Sequence, residues 1–135
     1  MTQSDPRLQQ NPPFVDFLGI RLVSSSPEKI VAEMRVSDAH LNRNGVLHGG
    51  AVMALADFAG GVMALVQLDD SEGTTTMESK TNFFRSVPAG DIARAESVVL
   101  HHGRKTTVSQ TSIYRGDGKL CAQIVQTQMR IPMKA

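Results

Sequence analysis

The chain has 135 residues and a mass of 14.6 kDa, and 14 basic against 13 acidic side chains leave a formal charge of +1. A hydrophobic fraction of 41% excludes a disordered chain, the single Cys excludes an internal disulfide framework, and the near-zero charge argues against a nucleic-acid-binding protein. Since the polar N-terminus has no signal-peptide core, we expect one soluble cytoplasmic domain over residues 1–135, in which residues 1–13 form a helical or flexible extension.

The first third of the sequence predicts a short helix, one strand and a long loop. A broken helix up to Leu18 is followed by a turn at Gly19. Residues 28–36 alternate, with Ile30 and Met34 pointing to one side, and this period of two predicts a strand. The turn formers and paired glycines of SDAHLNRNGVLHGG then predict a loop.

Residues 49–68, GGAVMALADFAGGVMALVQL, predict one long helix because Ala, Leu and Met favour helix. Apolar side chains occupy almost every angle around its axis, so we expect the helix to be buried on nearly all sides. Asp57 stands near its middle, where a charge would cost about 2.5–3.5 kcal/mol in a membrane. The helix is therefore predicted to be the core of a soluble protein with no membrane partner.

The rest of the chain predicts long strands joined by short turns. Strand patterns cover residues 74–85, 92–101, 106–114 and 120–131, and the turns between them are SVPAGD, HHGRK and RGDGK. Consecutive strands with short connections indicate an antiparallel meander. Together with the helix they define an α+β fold in which the sheet wraps around one long central helix.

Asp57 is the first candidate for chemistry, since it is the only charged residue between His48 and Asp69. A buried carboxylate is costly unless it is paired, and a structural carboxylate held by a hydroxyl or an amide is the alternative interpretation. Gly60 and Gly61 follow, and each costs a helix interior about 1 kcal/mol relative to Ala, which indicates that another group approaches the backbone closely. We therefore favour a functional role for Asp57.

The N-terminus of the helix is the second candidate. Its unpaired N–H groups and the positive end of the helix dipole can bind an anion, and Gly49 and Gly50 would let a ligand reach them. In acyl chemistry such a site is an oxyanion hole, to which His48 could add a hydrogen bond. Taken alone, these residues fit better with an ordinary helix start that follows a turn at Asn44 and Gly45.

The spacing of the two candidates determines how they can combine. Nine residues separate His48 from Asp57, which is about 13 Å along a helix. The helix N-terminus and the carboxylate of one chain therefore cannot meet on one small group. If both act on one substrate, they must come from different copies of the helix, which predicts a dimer with two shared sites.

Three motifs in the sequence belong together, namely LHGGAVMALAD, FFRSVPAGD and HHGRKT. They resemble those of the hotdog-fold acyl-CoA thioesterases, and most closely the PaaI-like branch that includes the phenylacetate-pathway enzymes. The resemblance extends from about residue 14 to residue 131 and implies a hotdog fold, hydrolysis of an acyl-CoA thioester, and a homodimer that can pair further into a tetramer. A related branch carries Glu at the helix position, so Asp57 favours the PaaI-like branch.

The resemblance assigns roles residue by residue. Asp57 would be the general base or nucleophile, and the N–H of Gly49 would bind the oxyanion. His48 is the histidine of the motif, and Asn42 corresponds to a loop residue that helps to hold the attacking water or the carbonyl. A hydroxyl in the strand after the helix supports the water and corresponds to Thr76, with the preceding residue, also Thr, as the alternative.

The resemblance also implies a binding site for the coenzyme A moiety, in which residues around FFRSVP and HHGRK hold the phosphates. The residues are Arg85, His102, Gly103, Arg104 and Lys105. An ordinary solvent-exposed surface is the alternative interpretation, and the match around Arg85 is looser because two residues are inserted before the proline. A local basic patch in a chain of charge +1 fits a phosphorylated small molecule better than a polymer.

The sequence predicts no metal and no cofactor apart from the coenzyme A of the substrate. The four His residues are scattered, and no phosphate-binding glycine loop is present. Cys121 lies in an alternating strand and is interpreted as packing rather than as a nucleophile. The acyl group is expected to contact helix residues such as Phe58, Val62 and Leu65.

These patterns favour a thioesterase that acts on a small aryl- or acyl-CoA. Two alternatives stay open on the same fold, a dehydratase or hydratase that acts on acyl thioesters and a non-catalytic acyl-CoA sensor. The HGG pattern and the nine-residue spacing look more like the hydrolases. A sensor would usually carry an additional DNA-binding segment, and residues 1–13 are too short for one.

Overall fold

A six-stranded antiparallel sheet packs around one long helix in the computed structural model, which describes residues 5–133. The helix contacts every strand of the sheet. Along the chain the elements are α1 (Pro13–Leu18), β1 (Ile20–Ser25), β2 (Ile30–Arg35), α2 (Gly49–Leu65), β3 (Glu72–Phe83), β4 (Ile92–His102), β5 (Thr106–Tyr114) and β6 (Leu120–Pro132), with single 3₁₀ turns at Pro6–Leu8 and Asp38–His40. The α+β architecture and the sheet wrapped around a central helix agree with the sequence prediction.

The strand order is β1-β2-β4-β5-β6-β3, and it corrects two predictions. Strands β4, β5 and β6 form the predicted meander, but β3 pairs with β6 at the far edge rather than with β4. Strand β1 was not predicted at all and forms the other edge. Alternation along a strand fixes which side chains are buried, but it does not specify which strand lies alongside, and this is why the order was missed.

Helix α2 is well buried on the side that faces the sheet, where Leu55, Ala56 and Met63 have no exposed surface. The prediction that it is buried on nearly all sides is wrong for the opposite side, because Met53 and Asp57 are exposed in the single chain. Ala, Gly and Met residues occur all around the helix, so the sequence pattern could not show which side of it the sheet leaves uncovered.

The C-terminal end of α2 is held by the segment that precedes α1. The helix ends at Leu65, three residues earlier than predicted, and the carbonyls of Leu65 and Leu68 accept hydrogen bonds from the guanidinium of Arg7 at 3.3 and 3.1 Å. A cation is favourable at this end of a helix dipole. Asp5 pairs with Arg7 at 2.8 Å, and the hydrogen bond from Arg7 lowers the pKa of the Asp5 carboxyl below its usual value.

The two consecutive glycines of α2 face different environments, which gives a first test of the packing. A Cβ on Gly61 would lie 3.6 Å from Nε2 of Gln128, an ordinary contact, whereas a Cβ on Gly60 would lie 3.0 Å from Oγ of Ser109 and 3.2 Å from Cδ of Gln126. Because Ala is preferred over Gly in a helix by about 1 kcal/mol, we expect Gly61→Ala to raise the free energy of unfolding by up to that amount.

Gly60→Ala gains the same helix propensity, but it crowds a fully buried site, and overpacking costs about 1–3 kcal/mol. We therefore expect this variant to be less stable than the unmodified protein. Urea unfolding of both variants at equal protein concentration measures the difference. Equal stability of the two variants would show that the sheet does not press on the helix at Gly60.

Candidate active site

The carboxylate of Asp57 lies where α2 crosses β3 and β6. Its Oδ1 accepts a hydrogen bond from Oγ1 of Thr76 at 2.8 Å and another from Nε2 of Gln126 at 2.9 Å. Asp57 and Thr76 are exposed, whereas Gln126 is buried beneath them. The structure thus brings together the predicted carboxylate and the predicted hydroxyl, and of the two threonines considered it is Thr76 that contacts the carboxylate.

At the N-terminus of α2 the ring of His48 acts as the helix cap. Its Nδ1 accepts a hydrogen bond from the N–H of Gly50 at 2.8 Å. A neutral imidazole that accepts at Nδ1 carries its proton on Nε2, so the other side of the ring presents a donor. The N–H of Gly49 has no hydrogen-bond partner among residues 5–133. Two donors are therefore free at this helix end, which is the composition that an oxyanion hole requires.

Asn42 shapes the loop that leads into this helix end. Its Oδ1 accepts hydrogen bonds from the N–H groups of Asn44 at 2.9 Å and Val46 at 3.3 Å, and Gly45 completes the turn with a φ of 78°. Such a turn is a common use of Asn next to Gly. Because the turn uses Oδ1, the group of Asn42 that can reach a ligand is its Nδ2.

The helix N-terminus and the carboxylate lie at different places along β3. A Cβ on Gly49 would lie 3.3 Å from the ring of Phe83, near the end of β3, whereas Asp57 bonds Thr76 near its beginning. Helix α2 and strand β3 therefore run in opposite directions. Eight residues of one continuous helix, about 12 Å, separate Gly49 from Asp57, so within one chain the two groups do not share a small ligand.

A cavity of about 560 Å³ opens beside Asp57 and extends along α2 toward its C-terminal end. Phe58, Val62 and Leu65, the side chains expected to contact an acyl group, all line it. The opposite walls come from the N-terminal segment, β1 and the start of β3, and the residues with polar side chains at the carboxylate end include Thr76. The arrangement is a mainly apolar cleft with a few polar groups, Asp57 and Thr76 among them, which is typical of small-molecule sites.

The residues predicted to hold coenzyme A fall into two groups at opposite ends of the sheet. Met129 of β6 pairs with Thr106, next to the turn at 102–105, whereas Ala122 of the same strand pairs with Phe83, next to Arg85. Seven residues of extended strand separate these positions, which is roughly 23 Å. One chain therefore does not bring Arg85 to the turn.

The residues of these two groups differ in whether they already make hydrogen bonds within the chain. The guanidinium of Arg85 donates to the carbonyl of Leu120 at 2.8 Å, and Nδ1 of His102 lies 2.8 Å from Oγ1 of Thr107. Gly103 closes the turn through its N–H, which donates to the carbonyl of Thr106 at 2.8 Å. The remaining two residues, Arg104 and Lys105, have exposed side chains.

Sequence reasoning missed Gln126 and Gln128. Both are buried on the inner face of β6, at 1% and 4% exposure, and they are bonded to each other at 3.1 Å. Alternation along β6 could have found them, because the period of two that points Ala122 and Ile124 into the core also points residues 126 and 128 inward. Glutamine carries no motif signature, so no sequence motif pointed to these two inward positions.

The structure also shows the surroundings of Cys121, the grouping of possible metal ligands and the character of the helices. Cys121 is 1% exposed, and burial raises the pKa of its thiol, which agrees with a packing role. Among residues 5–133, no three His, Cys, Asp or Glu side chains are grouped closely enough to hold a metal ion. No helix within that range is long and apolar enough to span a membrane.

Comparison with known proteins places this chain in a family. Residues 44–122 match the family model described as Thioesterase superfamily. Acyl-coenzyme A thioesterase 13 of Mus musculus is 28% identical over 105 residues, covering 77% of this chain and 74% of the mouse protein. A crystal structure of a thioesterase from Haemophilus influenzae superposes with a TM-score of 0.87 at 28% identity, covering 96% of this chain and 89% of that one.

The E. coli PaaI protein from the phenylacetic acid degradation operon superposes with the same TM-score of 0.87, at 27% identity, over 96% of this chain and 91% of that one. The helix, the sheet and these neighbours define an α+β hotdog-fold enzyme. The chain belongs to the thioesterase superfamily, since the family model matches more than half of its length. The predictions of a hotdog fold, a PaaI-like relationship and a thioester hydrolase are confirmed.

Proposed function

We propose that the chain hydrolyses a small aryl- or acyl-CoA thioester to the free acid and coenzyme A, with Asp57 as general base or nucleophile. The observation that carries the proposal is the Asp57 carboxylate itself, which is held on one oxygen by Thr76 and Gln126 and lines a mainly apolar cavity. Its other oxygen, Oδ2, has no hydrogen-bond partner among residues 5–133 and can act on a substrate.

In the general-base route, water attacks the thioester carbonyl while Oδ2 of Asp57 takes up a proton from that water. Oγ1 of Thr76, which donates its proton to Asp57, can accept a hydrogen bond from the same water. The oxyanion that develops on the carbonyl accepts a hydrogen bond from Gly49 at a helix N-terminus. Collapse of the tetrahedral intermediate breaks the C–S bond, and the coenzyme A thiolate leaves with the proton that Asp57 returns.

In the nucleophilic route, Asp57 attacks the carbonyl directly and expels the thiolate, and water then hydrolyses the resulting anhydride. Both routes use the same free oxygen of the carboxylate and the same oxyanion donors. Neither requires a metal or a second cofactor, because a thioester is activated and each step is a proton transfer or an acyl transfer. His48 would donate a hydrogen bond from its Nε2–H to the thioester carbonyl or to another part of the substrate nearby.

We infer that the active unit is a dimer, because β3 is an unpaired edge of the sheet. An edge strand of twelve residues presents its free backbone groups to any second strand, and proteins normally cover such an edge. Met77, Phe83 and Phe84 are 60%, 53% and 53% exposed along and just beyond it, and Met53 on the open side of α2 adds to this apolar surface. A second copy of the chain would cover both the strand edge and the helix.

A two-fold pairing of β3 with itself would also complete the site. If the axis passes near Lys80, midway between Thr76 and Phe83, antiparallel pairing brings Phe83 of the partner subunit next to Thr76. Gly49 lies at the ring of Phe83, so Gly49 of the partner subunit then lies beside Asp57. Two helices, one from each subunit, would thereby bring together the two groups that a single helix keeps apart, as the spacing in the sequence predicted.

The same pairing bears on the coenzyme A site. Arg85 of the partner subunit would lie opposite Thr74 or Thr75, toward the Glu72 end of β3, and this is the end of the sheet where the turn at 102–105 is located. Arg85 of the partner subunit together with His102, Arg104 and Lys105 would then form one basic patch for the phosphates. Positive groups that converge in this way favour a polyanionic small molecule.

The proposal is tested with a panel of aryl-, medium-chain and short-chain acyl-CoA esters, in which a thiol reagent measures the coenzyme A released. We expect turnover with at least one ester class and preference among acyl groups that fit a cavity of about 560 Å³. Addition of water to an enoyl-CoA without thiol release would instead indicate a hydratase. Tight binding of the esters with neither reaction would indicate a sensor, and each of these two results contradicts the proposal.

A further inference from the structure

Gln126 is a buried residue of β6 that lies directly beneath the Asp57 carboxylate. Its side chain is 1% exposed, so it does not face the cavity or solvent. The amide nitrogen Nε2 lies 2.9 Å from Oδ1 of Asp57 and 3.1 Å from Oε1 of Gln128. A primary amide has two N–H groups, and both are used by these two acceptors together with the more distant Oγ1 of Thr76 at 3.4 Å.

The direction of this hydrogen-bonded chain is fixed by its carboxylate end. A carboxylate accepts hydrogen bonds only, so Gln126 must present its nitrogen to Asp57, and Gln128 must then present its oxygen to Gln126. The nitrogen of Gln128 is left to donate to Oγ1 of Thr74, at 3.2 Å. Each amide therefore has one favoured orientation in this chain, because a flip of either one breaks the hydrogen bond between them, and a flip of Gln126 also breaks its bond to Asp57.

Helix α2 provides the room for this arrangement. A Cβ at position 60 would lie 3.2 Å from Cδ of Gln126, closer than such contacts usually are, and Gly60 leaves that space open. Gly in a helix interior costs about 1 kcal/mol relative to Ala. The close approach of Gln126 explains why residue 60 is glycine. This fit between helix and strand supports the view that the contact of Gln126 with Asp57 is built into the fold.

Both protein donors reach the same oxygen of Asp57. Thr76 at 2.8 Å and Gln126 at 2.9 Å bond Oδ1, and two donors from two different strands fix the rotation of the carboxylate about its last bond. We propose that Gln126 is a positioning residue, which holds the Asp57 carboxylate so that Oδ2 faces the thioester carbonyl. The inference rests on the proposed thioesterase reaction and assigns Gln126 no contact with the substrate.

Gln126→Met tests this role, because Met keeps the length and most of the volume of the side chain and removes the donor. We expect kcat to fall about 10- to 100-fold, the loss typical of a misplaced reacting group, while KM changes by less than about 3-fold. Gln123→Met is the matched control, since Gln123 lies on the outer face of the same strand, where its amide bonds Oγ of Ser112 at 3.3 Å. This control should retain the activity of the unmodified protein.

Gln126→Asn is the second variant, which keeps an amide but withdraws it by one methylene. A positioning role predicts a kcat between those of the unmodified protein and Gln126→Met, with KM again unchanged. The Asn variant also keeps the inference testable if the Met variant does not fold. Circular dichroism and thermal unfolding would detect such a failure to fold. A lower melting temperature with unchanged kcat for the folded variants would assign Gln126 a structural role only and overturn the inference.

A crystal structure of Gln126→Met gives a readout that does not depend on turnover. We expect the Asp57 carboxylate to rotate or to become disordered, whereas a carboxylate that keeps its orientation without Gln126 would overturn the inference. The two proposals fail separately in these experiments. An unmodified protein that releases no thiol contradicts the proposed function, and an active protein whose Gln126 variants stay fully active contradicts only the positioning role.

Discussion

Replacing Asp57 by Asn is expected to lower kcat for acyl-CoA hydrolysis about 10²–10⁴-fold, the contribution of a positioned general base, and more if the carboxylate is the nucleophile. The amide oxygen of Asn can still accept the hydrogen bonds from Thr76 and Gln126, so the fold should persist. What is lost is the second carboxylate oxygen, which has to take a proton or attack a carbonyl. Thiol release under substrate saturation measures the effect.

The control for this experiment is the same substitution at a carboxylate outside the site. Asp70 follows the helix, and its side chain is 95% exposed, with an ion pair to Arg7 at 3.7 Å that is worth little at the surface. Asp70→Asn should therefore hydrolyse the esters like the unmodified protein. If Asp57→Asn turns over as fast as this control, Asp57 is not the catalytic carboxylate, whatever the geometry around it.

Mixing two inactive variants is expected to restore activity if each site combines Asp57 of one chain with Gly49 of the other. Asp57→Ala removes the carboxylate, and Gly49→Pro removes the free N–H while placing Pro at the first helical position, where it is well tolerated. Random exchange makes half of the dimers mixed, and each mixed dimer has one intact site. The mixture should thus reach about a quarter of the unmodified activity.

The complementary mixture combines the unmodified protein with a chain that carries both substitutions. Shared sites leave both sites of each mixed dimer defective, so about a quarter of the activity should remain, whereas sites confined to one chain would leave about half. Exchange of subunits is verified with two distinguishable affinity tags. Absence of complementation in the first mixture, together with half of the activity in the second, would show that each chain carries its own complete site.

The sequence predicted the parts of this site that lie within one element or depend on a recognisable motif. The long helix that begins at Gly49, its glycine-rich start and Asp57 near its middle are local features, and composition was sufficient to place them, although the helix ends three residues before the predicted residue 68. The family resemblance predicted Thr76 as the hydroxyl that supports the attacking water, and this hydroxyl is observed 2.8 Å from the Asp57 carboxylate. The sequence left two neighbouring threonines as candidates for this hydroxyl, because the register of a strand against a helix depends on tertiary packing.

Contacts between elements distant in the chain were not predictable in the same way. Gln126 is 69 residues from Asp57, and only the sheet order brings β6 beneath the helix and next to β3. The exposure of Asp57 was also missed, because it depends on which side of the helix the sheet leaves open. Strand β1 was missed because serines and a proline follow its few apolar residues, which weakened the alternation over Ile20–Ser25.

The clamp between Arg7 and the C-terminal end of α2 has a practical consequence for handling this protein. Arg7 and Leu8 near one end of the described residues and Met133 at the other all line the same cavity, so both ends of the described range lie beside the proposed acyl site. A fluorophore attached at Leu8 or Met133 would compete with substrate for that space. The hairpin between β5 and β6, around Asp117, is solvent-exposed and lies at the other end of the sheet, where a label leaves the cleft open.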